Sequence, residues 1–421
     1  MSSPSTFRGN NEAVNRGHLL VLLAAFLGWL FDGFEMGLFP IVGRPALQSM
    51  FHGEGNVDAF VGQWMGIITA LFLVGAALGG LIFGYLGDRI GRVRAMSLSI
   101  LTYSICTGLG YFAQEPWHLG LFRVIAALGM GGEWSLGVAL VMECWPERLR
   151  PLMAGIIGAA ANVGFLLVSF IGQRIPVTPE SWRWMWLVGV LPAFIVFFIL
   201  KAVPESERWK ASVKHGPSAP LREVFSPAYL RNTLLGITFA SIALIGTWAS
   251  VQWIPIWVDQ LVGASRPEAK ATVGMCSAFG AIVGCLIGPL IGGRIGRRSA
   301  FFGLCVGSLL SCAFLYRGGL EYGFLFGSTV FVVGLFTASF YGWFPLYLPE
   351  LFPTRMRATG QGICYNTGRV FAAAGAVSAG QLVGYFDGDY AKMGAVITLI
   401  YILGMALIWL APETKGEPLP E

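Results

Sequence analysis

Long apolar runs separated by short polar loops dominate the hydrophobic pattern of this chain. A helix that crosses about 30 Å of hydrocarbon needs roughly 20 mostly apolar residues, and twelve such runs, numbered here as segments 1 to 12, fill most of the 421 residues. The segments cover residues 19–45, 62–86, 95–113, 117–143, 152–175, 184–203, 232–258, 270–292, 299–317, 322–348, 358–384 and 390–411. The pattern therefore predicts an all-α membrane protein with twelve transmembrane helices.

The composition agrees with this prediction and excludes several classes of protein. Hydrophobic residues make up 55% of the chain and charged residues 12%, and the mean hydropathy is +0.66. The longest stretch outside the segments, 204–231, is shorter than an independent domain. The sequence has no GxxxxGK[ST] phosphate-binding loop, so an ATP-driven pump is not indicated.

Histidine and cysteine positions indicate neither a metal site nor a disulfide framework. The histidines, His18, His52, His118 and His215, lie at segment ends or in loops, and no ligand set for haem or zinc is expected. Six of the seven cysteines lie inside apolar segments and Cys144 lies at the end of segment 4, as expected for small hydrophobic residues. The sequence also shows no catalytic nucleophile with a neighbouring base. We therefore predict that the protein is not an enzyme and has no cofactor.

The distribution of basic residues predicts the orientation in the membrane. The first segment is too long for a cleavable signal peptide and is interrupted by two acids, so we expect a retained helix. We call inner the side that carries both termini, and outer the opposite side. The inner side holds 19 of the 28 Lys and Arg residues and the outer side 7, while Arg123 and Arg369 lie within segments. The positive-inside rule then predicts that both termini are cytoplasmic and that the protein lies in the cell (inner or plasma) membrane. This placement of Lys and Arg also explains the net charge of +5, so nucleic-acid binding is not predicted.

Three pairs of motifs at almost constant spacing indicate an internal duplication. The string GYLGDRIGRVR after segment 2 returns as IGGRIGRR after segment 8, 205 residues later when Arg89 is compared with Arg294. An E-x6-R spacing after segment 4 returns 207 residues later, and PESER after segment 6 returns as PETKG 208 residues later. The chain is therefore predicted to consist of two six-helix halves, 1–203 and 232–421, joined by a cytoplasmic linker, 204–231.

Because six is an even number, both halves have the same orientation, and a ligand path between such parallel repeats is the natural expectation. Glycines spaced by four residues agree with the duplication and predict close helix packing. These glycines are Gly75 and Gly79 in segment 2 and Gly280, Gly284, Gly288 and Gly292 in segment 8.

These motifs resemble those of the major facilitator superfamily over almost the entire chain. The strings RVIAALGMGGEW and YLPELFPTRMRATGQGICYNTGR, with the two acids of segment 1, are similar to its proton-coupled organic acid branch, which includes aromatic acid and sialate symporters. The resemblance implies that segments 1, 4, 7 and 10, flanked by 2, 5, 8 and 11, line a central cavity. The chain departs from an exact repeat where Gly293 stands in place of Asp88, and any inner gate is therefore expected to be asymmetric.

Five ionisable residues lie within segments, and all five fall in segments expected to line the cavity. Charged groups inside a membrane cost at least about 2.5 kcal/mol each and usually mark a functional site. At 1.5 Å per residue, Asp32, Glu133 and Arg369 lie roughly 17–20 Å from the inner ends of their segments and share one level. Glu35 lies one turn further out on the same face as Asp32, within reach of Arg123.

Chemistry suggests a role for each of these groups. A buried carboxyl group whose arginine partner comes and goes can bind and release a proton near neutral pH, so Asp32, Glu35 and Glu133 are candidates for proton coupling. Arginine stays charged and binds carboxylates with two parallel hydrogen bonds, so Arg369, with Arg123 as a second candidate, is predicted to bind an anionic substrate. Alternatively, Arg123 pairs structurally with Glu35 or Asp32, Glu133 satisfies backbone groups, and Arg369 is structural.

Uncharged polar and aromatic residues of the same segments are predicted to shape the substrate site, although packing is the more common role of an aromatic residue taken alone. Asn162 and Asn366 are 204 residues apart and occupy equivalent places in the two halves. The predicted lining residues are Asn162, Gln252, Trp253, Tyr341, Tyr365 and Asn366.

Charged residues at the inner segment ends are assigned by the resemblance to a cytoplasmic gate, with ordinary positive-inside anchoring as the alternative. A network that joins helix ends can bias one of two global arrangements by a few kcal/mol. The predicted gate residues are Asp88, Arg89, Arg92, Glu143, Arg150, Arg294, Glu350 and Arg357.

Together these features predict a proton-coupled symporter of a small organic anion that works as a monomer by alternating access. Sodium remains an alternative coupling ion. A sugar, polyol or zwitterionic osmolyte is the alternative cargo, and it would leave Arg369 with a structural role. A receptor that binds without transporting is disfavoured, because neither the termini nor the loops offer a signalling module.

Overall fold

The structure, a computed structural model, describes residues 15–51, 57–174, 179–213, 220–262, 265–266, 269–386 and 389–420. Within these residues every regular element is a helix, which confirms the predicted all-α class. The predictions about His52, His215 and linker residues 214–219 lie outside the described residues. The α-helices are α1 (Arg16–Ser49), α2 (Val57–Ile90), α3 (Arg92–Leu109), α4 (Pro116–Cys144), α5 (Arg150–Arg174), α6 (Arg183–Val188), α7 (Pro192–Ala202), α8 (Glu207–Val213), α9 (Pro220–Val224), α10 (Leu230–Trp248), α11 (Ile254–Val262), α12 (Ala269–Ile295), α13 (Arg297–Arg317), α14 (Phe324–Tyr347), α15 (Arg357–Tyr385), α16 (Tyr390–Ile397) and α17 (Ile400–Leu407).

Each predicted segment corresponds to one helix or to two consecutive helices. Ten helical stretches in the described part of the chain are long and apolar enough to cross a membrane. Segment 6 falls short in length, since its described apolar helical stretch is Arg183–Val196, and segment 11 falls short in hydropathy although α15 is 29 residues long. Gln361, Asn366 and Arg369 are buried on α15, so the low hydropathy reflects polar side chains that point into the protein.

Sharp turns precede the equivalent helices α3 and α13. Gly91 and Gly296 separate them from α2 and α12 and have φ angles of 102° and 104°, which glycine adopts without a steric penalty. Neither glycine offers a side chain to cap the helix that follows. Glu205 instead accepts hydrogen bonds from the backbone N–H groups of Arg92 and Val93, both at 3.1 Å. Glu413 caps α13 in the same way (2.8 and 3.2 Å).

The predicted packing role of the spaced glycines is confirmed. Gly79 on α2 lies against the backbone of Leu128 on α4, and Gly284 on α12 lies against the backbone of Leu335 on α14. A methyl group at either position would collide with that backbone. These equivalent contacts hold α2 to α4 in the first half and α12 to α14 in the second.

The two halves meet along two seams. Helix α2 packs against α15, and α5 packs against α12 and α14. Gly80 lies against Asn366 in the first seam, and Gly155 lies against the backbone of Cys285 in the second. Helices α8 and α9 lie in the linker, and the exact division at residues 203 and 232 stays a prediction.

Candidate functional site

All five predicted intramembrane charges are buried, and they form two groups. The outer group is an ion pair between Glu35 on α1 and Arg123 on α4. The guanidinium group of Arg123 also lies over the rings of Phe72 (4.3 Å) and Phe39 (5.1 Å). With a carboxylate beside it and aromatic faces around it, Arg123 has the surroundings of a structural ion pair, one of the two alternatives for this residue.

The deeper group brings together Asp32, Glu133 and Arg369. The carboxyl group of Glu133 lies against Gly28, one turn before Asp32 on α1, and Asp32 interacts electrostatically with both Glu133 and Arg369. None of the four carboxyl oxygens of Asp32 and Glu133 has a hydrogen-bond partner on the protein. Two buried acids without protein partners are the groups on this level with the freedom to bind a proton.

Arg369 is held in place by residues of its own helix. Its Nη1 atom donates a hydrogen bond to Oδ1 of Asn366 (2.9 Å), and its guanidinium group lies 5.0 Å from the centre of the Tyr365 ring. The Nδ2 atom of Asn366 donates in turn to the carbonyl of Gly131 on α4 (3.3 Å). We refer to Asp32, Glu133, Asn366 and Arg369 as the polar layer, which joins the first half to the second.

An aromatic stack lies directly beside the polar layer. The rings of Trp134 on α4 and Tyr365 on α15 are stacked with centroids 4.2 Å apart and planes inclined by 18°. Trp29 and Phe344 lie further out around them, each at 6.3 Å. Sequence reasoning identified Tyr365 but missed Trp134, although Trp134 directly follows Glu133.

The other predicted lining residues separate into two sets. Asn162 is half-buried at the seam between α5 and α12, with Nδ2 4.0 Å from the sulfur of Cys285, and Tyr341 packs in the same cluster. Gln252 and Trp253 instead belong to a 3-10 turn that follows α10. Trp253 packs near Tyr390 (6.1 Å) and Gln252 is exposed. The helix predicted over 232–258 is interrupted before these two residues, and their described contacts are with residues outside the polar layer.

A second polar cluster joins the halves at the inner end. Arg92 binds Asp88 (2.7 Å) and Glu143 (3.0 Å) within the first half and donates to the carbonyl of Thr354 in the second (2.7 Å). Arg357 of the second half reaches back to Glu143 (3.1 Å). We call these residues the inner network. Since their side chains are buried, the inner ends of the two halves are closed against each other in this structure.

Asp88 also caps a helix of the opposite half. Its Oδ2 atom accepts a hydrogen bond from the backbone N–H of Thr359 (2.8 Å) near the start of α15. An acid is favourable there, because the first N–H groups of a helix lack partners and carry partial positive charge. Gly293, the equivalent of Asp88, packs against Pro151 and has no side chain to offer. The asymmetry expected from the sequence therefore has a structural counterpart.

The structure corrects part of the predicted gate. Arg89 and Arg294 are exposed, and no ion pair connects them to the inner network in the described residues. Arg297, which sequence reasoning missed, binds Glu350 through two hydrogen bonds of 3.0 and 2.6 Å. The repeat contained the signal, since Arg297 follows Arg92 by 205 residues. Arg150 pairs with Glu147 of its own half (3.1 Å).

Residues 412–420 lie across the inner end of the second half. The carbonyl of Pro420 accepts hydrogen bonds from Arg357 (2.8 Å) and from the backbone of Thr354 (3.2 Å), and Leu419 is only 3% exposed. Partial burial acts to raise the pKa of Glu413. Hydrogen bonds from the backbone N–H groups of Arg297, Arg298 and Lys415 act more strongly in the opposite direction and hold this pKa below its ordinary value. This segment orients Arg357 toward Glu143.

Comparison with known proteins identifies relatives over nearly the full chain. The sequence model of the Major Facilitator Superfamily matches residues 21–377. A protein of Cupriavidus pinatubonensis named "probable 4-methylmuconolactone transporter" is 30% identical over 93% of this chain and 90% of its own length. The cis,cis-muconate transport protein of Acinetobacter baylyi is 29% identical over 95% of both chains.

A solved structure has the same fold at much lower sequence identity. The proton:xylose symporter XylE bound to 6-bromo-6-deoxy-D-glucose superimposes with a TM-score of 0.76 over 96% of this chain and 98% of that chain, at 16% identity. All three of these proteins are transporters, which agrees with the prediction that this chain is not an enzyme.

Proposed function

The chain belongs to the Major Facilitator Superfamily, and we propose that it is a secondary active transporter that couples the movement of a small organic anion to protons. The polar layer carries this proposal. It places one buried arginine beside two buried carboxyl groups that have no protein hydrogen-bond partner, at the junction of the two halves. The named relatives transport cis,cis-muconate or, by name, 4-methylmuconolactone, which supports an organic acid as the cargo.

Arg369 is the proposed anion-binding residue. A guanidinium group has five N–H donors, and the hydrogen bond to Asn366 uses one of them. The remaining donors suit the two oxygens of a carboxylate, which arginine binds in a planar, bidentate geometry. The stacked rings of Trp134 and Tyr365 offer an apolar wall for the rest of the substrate.

Asp32 and Glu133 are the proposed proton carriers. A substrate carboxylate brings a negative charge to a layer that already holds two carboxyl groups, and like charges in a low-dielectric site favour protonation of one of them. Binding of the anion and binding of the proton are therefore linked, and each strengthens the other. No further cofactor takes part in this proposal, and sodium is the alternative coupling ion.

Alternating access provides the path. With the inner network closed, as it is here, the polar layer is separated from the inner side, and opening requires the two halves to rock about it. We place the protein in the cell membrane with both termini in the cytoplasm, as the distribution of Lys and Arg indicates. Since the polar layer is built from one chain, a monomer is sufficient.

Transport by purified protein in lipid vesicles tests the proposal. An imposed pH gradient should drive accumulation of labelled cis,cis-muconate. Asp32→Asn should abolish accumulation but leave exchange of labelled for unlabelled substrate, because exchange needs no net proton movement. Glu321→Gln, which removes an exposed acid outside the site, should behave like the wild type. Undiminished accumulation by Asp32→Asn would overturn the assignment of proton coupling to this residue.

The variant Arg369→Gln distinguishes an organic anion from a sugar or zwitterion as the cargo. A thermal-shift screen of wild type and Arg369→Gln against cis,cis-muconate, xylose and betaine should show a shift with the carboxylate that the variant loses. Stabilisation by xylose alone, retained in Arg369→Gln, would favour the sugar alternative and leave Arg369 with a structural role.

A further inference from the structure

Three hydroxyl-bearing residues of α3 point into the first half of the protein. Tyr103 and Thr107 are 1% exposed and Ser104 is fully buried. Their hydroxyl groups have no hydrogen-bond partner of normal geometry on the protein. Thr107 follows Ser104 by three residues and Tyr103 by four, which places it next to both on the helix surface, while Tyr103 and Ser104 are adjacent in the sequence. We call these residues the hydroxyl row.

The hydroxyl row connects the two groups of buried charges. Thr107 faces the carboxyl group of Glu35, and Ser104 faces the hydroxyl of Tyr103, in each case without the geometry of a full hydrogen bond. Tyr103 interacts electrostatically with Asp32, Glu133 and Glu35. The row therefore extends from the ion pair of Glu35 with Arg123 to the two acids of the polar layer.

Depth along the helices agrees with this connection. Tyr103 lies eleven residues from the start of α3 and Glu133 eleven residues from the end of α4, so both are roughly 16 Å from the inner ends of their helices. Helices α3 and α4 are in close contact here, since Gly129, one turn outward of Glu133 on α4, lies against the backbone of Tyr103. Thr107 is one turn further out, on the side of Glu35.

The charged groups around the row come from two helices. Helix α1 contributes Asp32 and Glu35, and α4 contributes Arg123 and Glu133. The methyl group of Thr107 packs against Gly189, between α6 and α7. The described charged side chains of the other helices packed on α3 lie at helix ends, and they are Asp88, Arg89, Arg183 and Lys201.

Buried hydroxyl groups without partners are costly, at about 1–3 kcal/mol each. Water is their usual partner, and buried waters typically bind two to four such groups. We propose that the hydroxyl row, with water molecules between its members, forms a proton path inside the first half, separate from the substrate route between the halves. This inference rests on the proposed function, since it supplies the protons that Asp32 and Glu133 carry.

Proton transfer along such a path changes none of its members. Each hydroxyl or water accepts a proton on an oxygen lone pair and passes one of its own O–H protons to the next member. The net result is the gain of one proton by the carboxylate of Asp32 or Glu133 and the conversion of one hydronium ion of the outer solution to water at the Glu35 end, because Glu35 itself stays ionised beside Arg123. Because α3 carries the row, the path does not require the substrate to leave its site.

The second half provides a matched control. The residue equivalent to Tyr103 at the 205-residue spacing is Ser308 on α13, which is also buried with a hydroxyl group lacking a partner. The equivalents of Ser104 and Thr107 are Leu309 and Cys312, and none of the five intramembrane charges except Arg369 lies in this half. Removal of the Ser308 hydroxyl therefore tests the loss of a buried hydroxyl without touching the path.

Infrared spectroscopy of the full chain in phosphatidylcholine vesicles tests the path without any substrate. A protonated carboxyl group gives a C=O stretching band that shifts when its proton is exchanged for deuterium, and loss of the band in Asp32→Asn or Glu133→Gln assigns it. We expect Tyr103→Phe with Thr107→Val to slow this exchange by roughly tenfold. The expected effect is smaller than the roughly 10²–10⁴-fold contribution of a positioned acid or base, because water can bypass a missing hydroxyl.

The outcomes distinguish failure of the proton path from failure of the proton-carrying role of Asp32 and Glu133. Slow exchange in the double variant, with wild-type exchange in Ser308→Ala, supports the path. Wild-type exchange in the double variant, or equal slowing in Ser308→Ala, overturns the path but leaves proton coupling in place. Absence of any band that Asp32→Asn or Glu133→Gln removes would overturn the proton-carrying role itself. The single variant Thr107→Val, which keeps the shape of the side chain, replaces the double variant if that one does not fold.

Discussion

Two acids one turn apart on α1 have different surroundings. Glu35 is paired with Arg123 beneath the rings of Phe39 and Phe72, whereas the carboxyl oxygens of Asp32 have no protein hydrogen-bond partner. A buried acid with a permanent arginine partner is stabilised in its charged form, and one without such a partner is free to change its protonation state. The difference favours Asp32 over Glu35 as the proton carrier.

The ion pair leads to a prediction about stability. Arg123→Met leaves Glu35 buried without its partner, which typically costs about 3–5 kcal/mol, so we expect a clear fall in the melting temperature followed by tryptophan fluorescence at one scan rate. Adding Glu35→Gln should recover most of the loss, because no uncompensated charge remains. Arg317→Met, at an exposed helix end, serves as the control. Equal melting temperatures for Arg123→Met and the wild type would contradict a structural ion pair.

Helix beginnings at the inner side depend on acids from distant parts of the chain. Helices α3 and α13 follow glycines that cannot cap them, and Glu205 and Glu413 supply the missing acceptors. The duplicated PES and PET strings therefore act as caps for the first helix after each sharp turn. These caps tie the linker and the C-terminal segment 412–420 to the helices beside the inner network.

The cap of α13 should make stability depend on pH. At neutral pH, Glu413→Ala should be less stable than the wild type. Loss of a helix cap costs roughly 0.5–2 kcal/mol, and we expect a value in the lower part of this range because the Glu413 side chain is partly exposed. The pKa of Glu413 is held below its unfolded value near 4.5, so its contribution is present above that value and is lost as the pH falls through the lower folded pKa.

Melting temperatures of wild type and Glu413→Ala measured from pH 7 down to pH values around 3 should therefore converge toward the acidic end. Glu417→Ala removes an exposed acid of the same segment and should show no such convergence. A difference that stays constant with pH would show that Glu413 stabilises α13 by packing rather than by charge.

At the scale of the whole molecule, the inner network decides which arrangement of the halves is populated. Glu143 is the centre of it, because it binds Arg92 of its own half and Arg357 of the other. Asp88 adds a second link by capping α15 across the seam. Opening toward the inner side must break these contacts together.

We therefore expect Glu143→Gln to shift the population toward the inward-open arrangement. A hydrogen bond to a charged group contributes about 1.5–3 kcal/mol, so the amides of Ala358 and Thr359 should exchange with deuterium about tenfold faster or more. Hydrogen exchange followed by mass spectrometry measures this directly. Glu147→Gln, which removes the ion pairs with Arg150 and with Arg208 of the linker but none between the halves, is the control. Unchanged exchange at residues 358 and 359 in Glu143→Gln would show that the network does not hold the halves together.

Much of this architecture was predictable because a membrane imposes simple rules on sequence. The need for roughly 20 apolar residues per span determined the segments, and the repeated motifs revealed the equivalence of α3 with α13 and of Gly79 with Gly284. Spacing along a helix and depth from its end were enough to bring Asp32, Glu133 and Arg369 to one level. These properties depend on local pattern and length, which the sequence carries directly.

Tertiary structure alone decided which partners meet. The glycine turns leave Arg89 and Arg294 exposed at the ends of α2 and α12. They place Arg92 and Arg297, at the starts of α3 and α13, in buried contact with Glu143 and Glu350. The break after α10 places Trp253 beside Tyr390, and the packing of α3 on α4 turns Tyr103, Ser104 and Thr107 toward the buried acids. Hydropathy predicts that a residue is buried, but the orientation of whole helices determines what it is buried against.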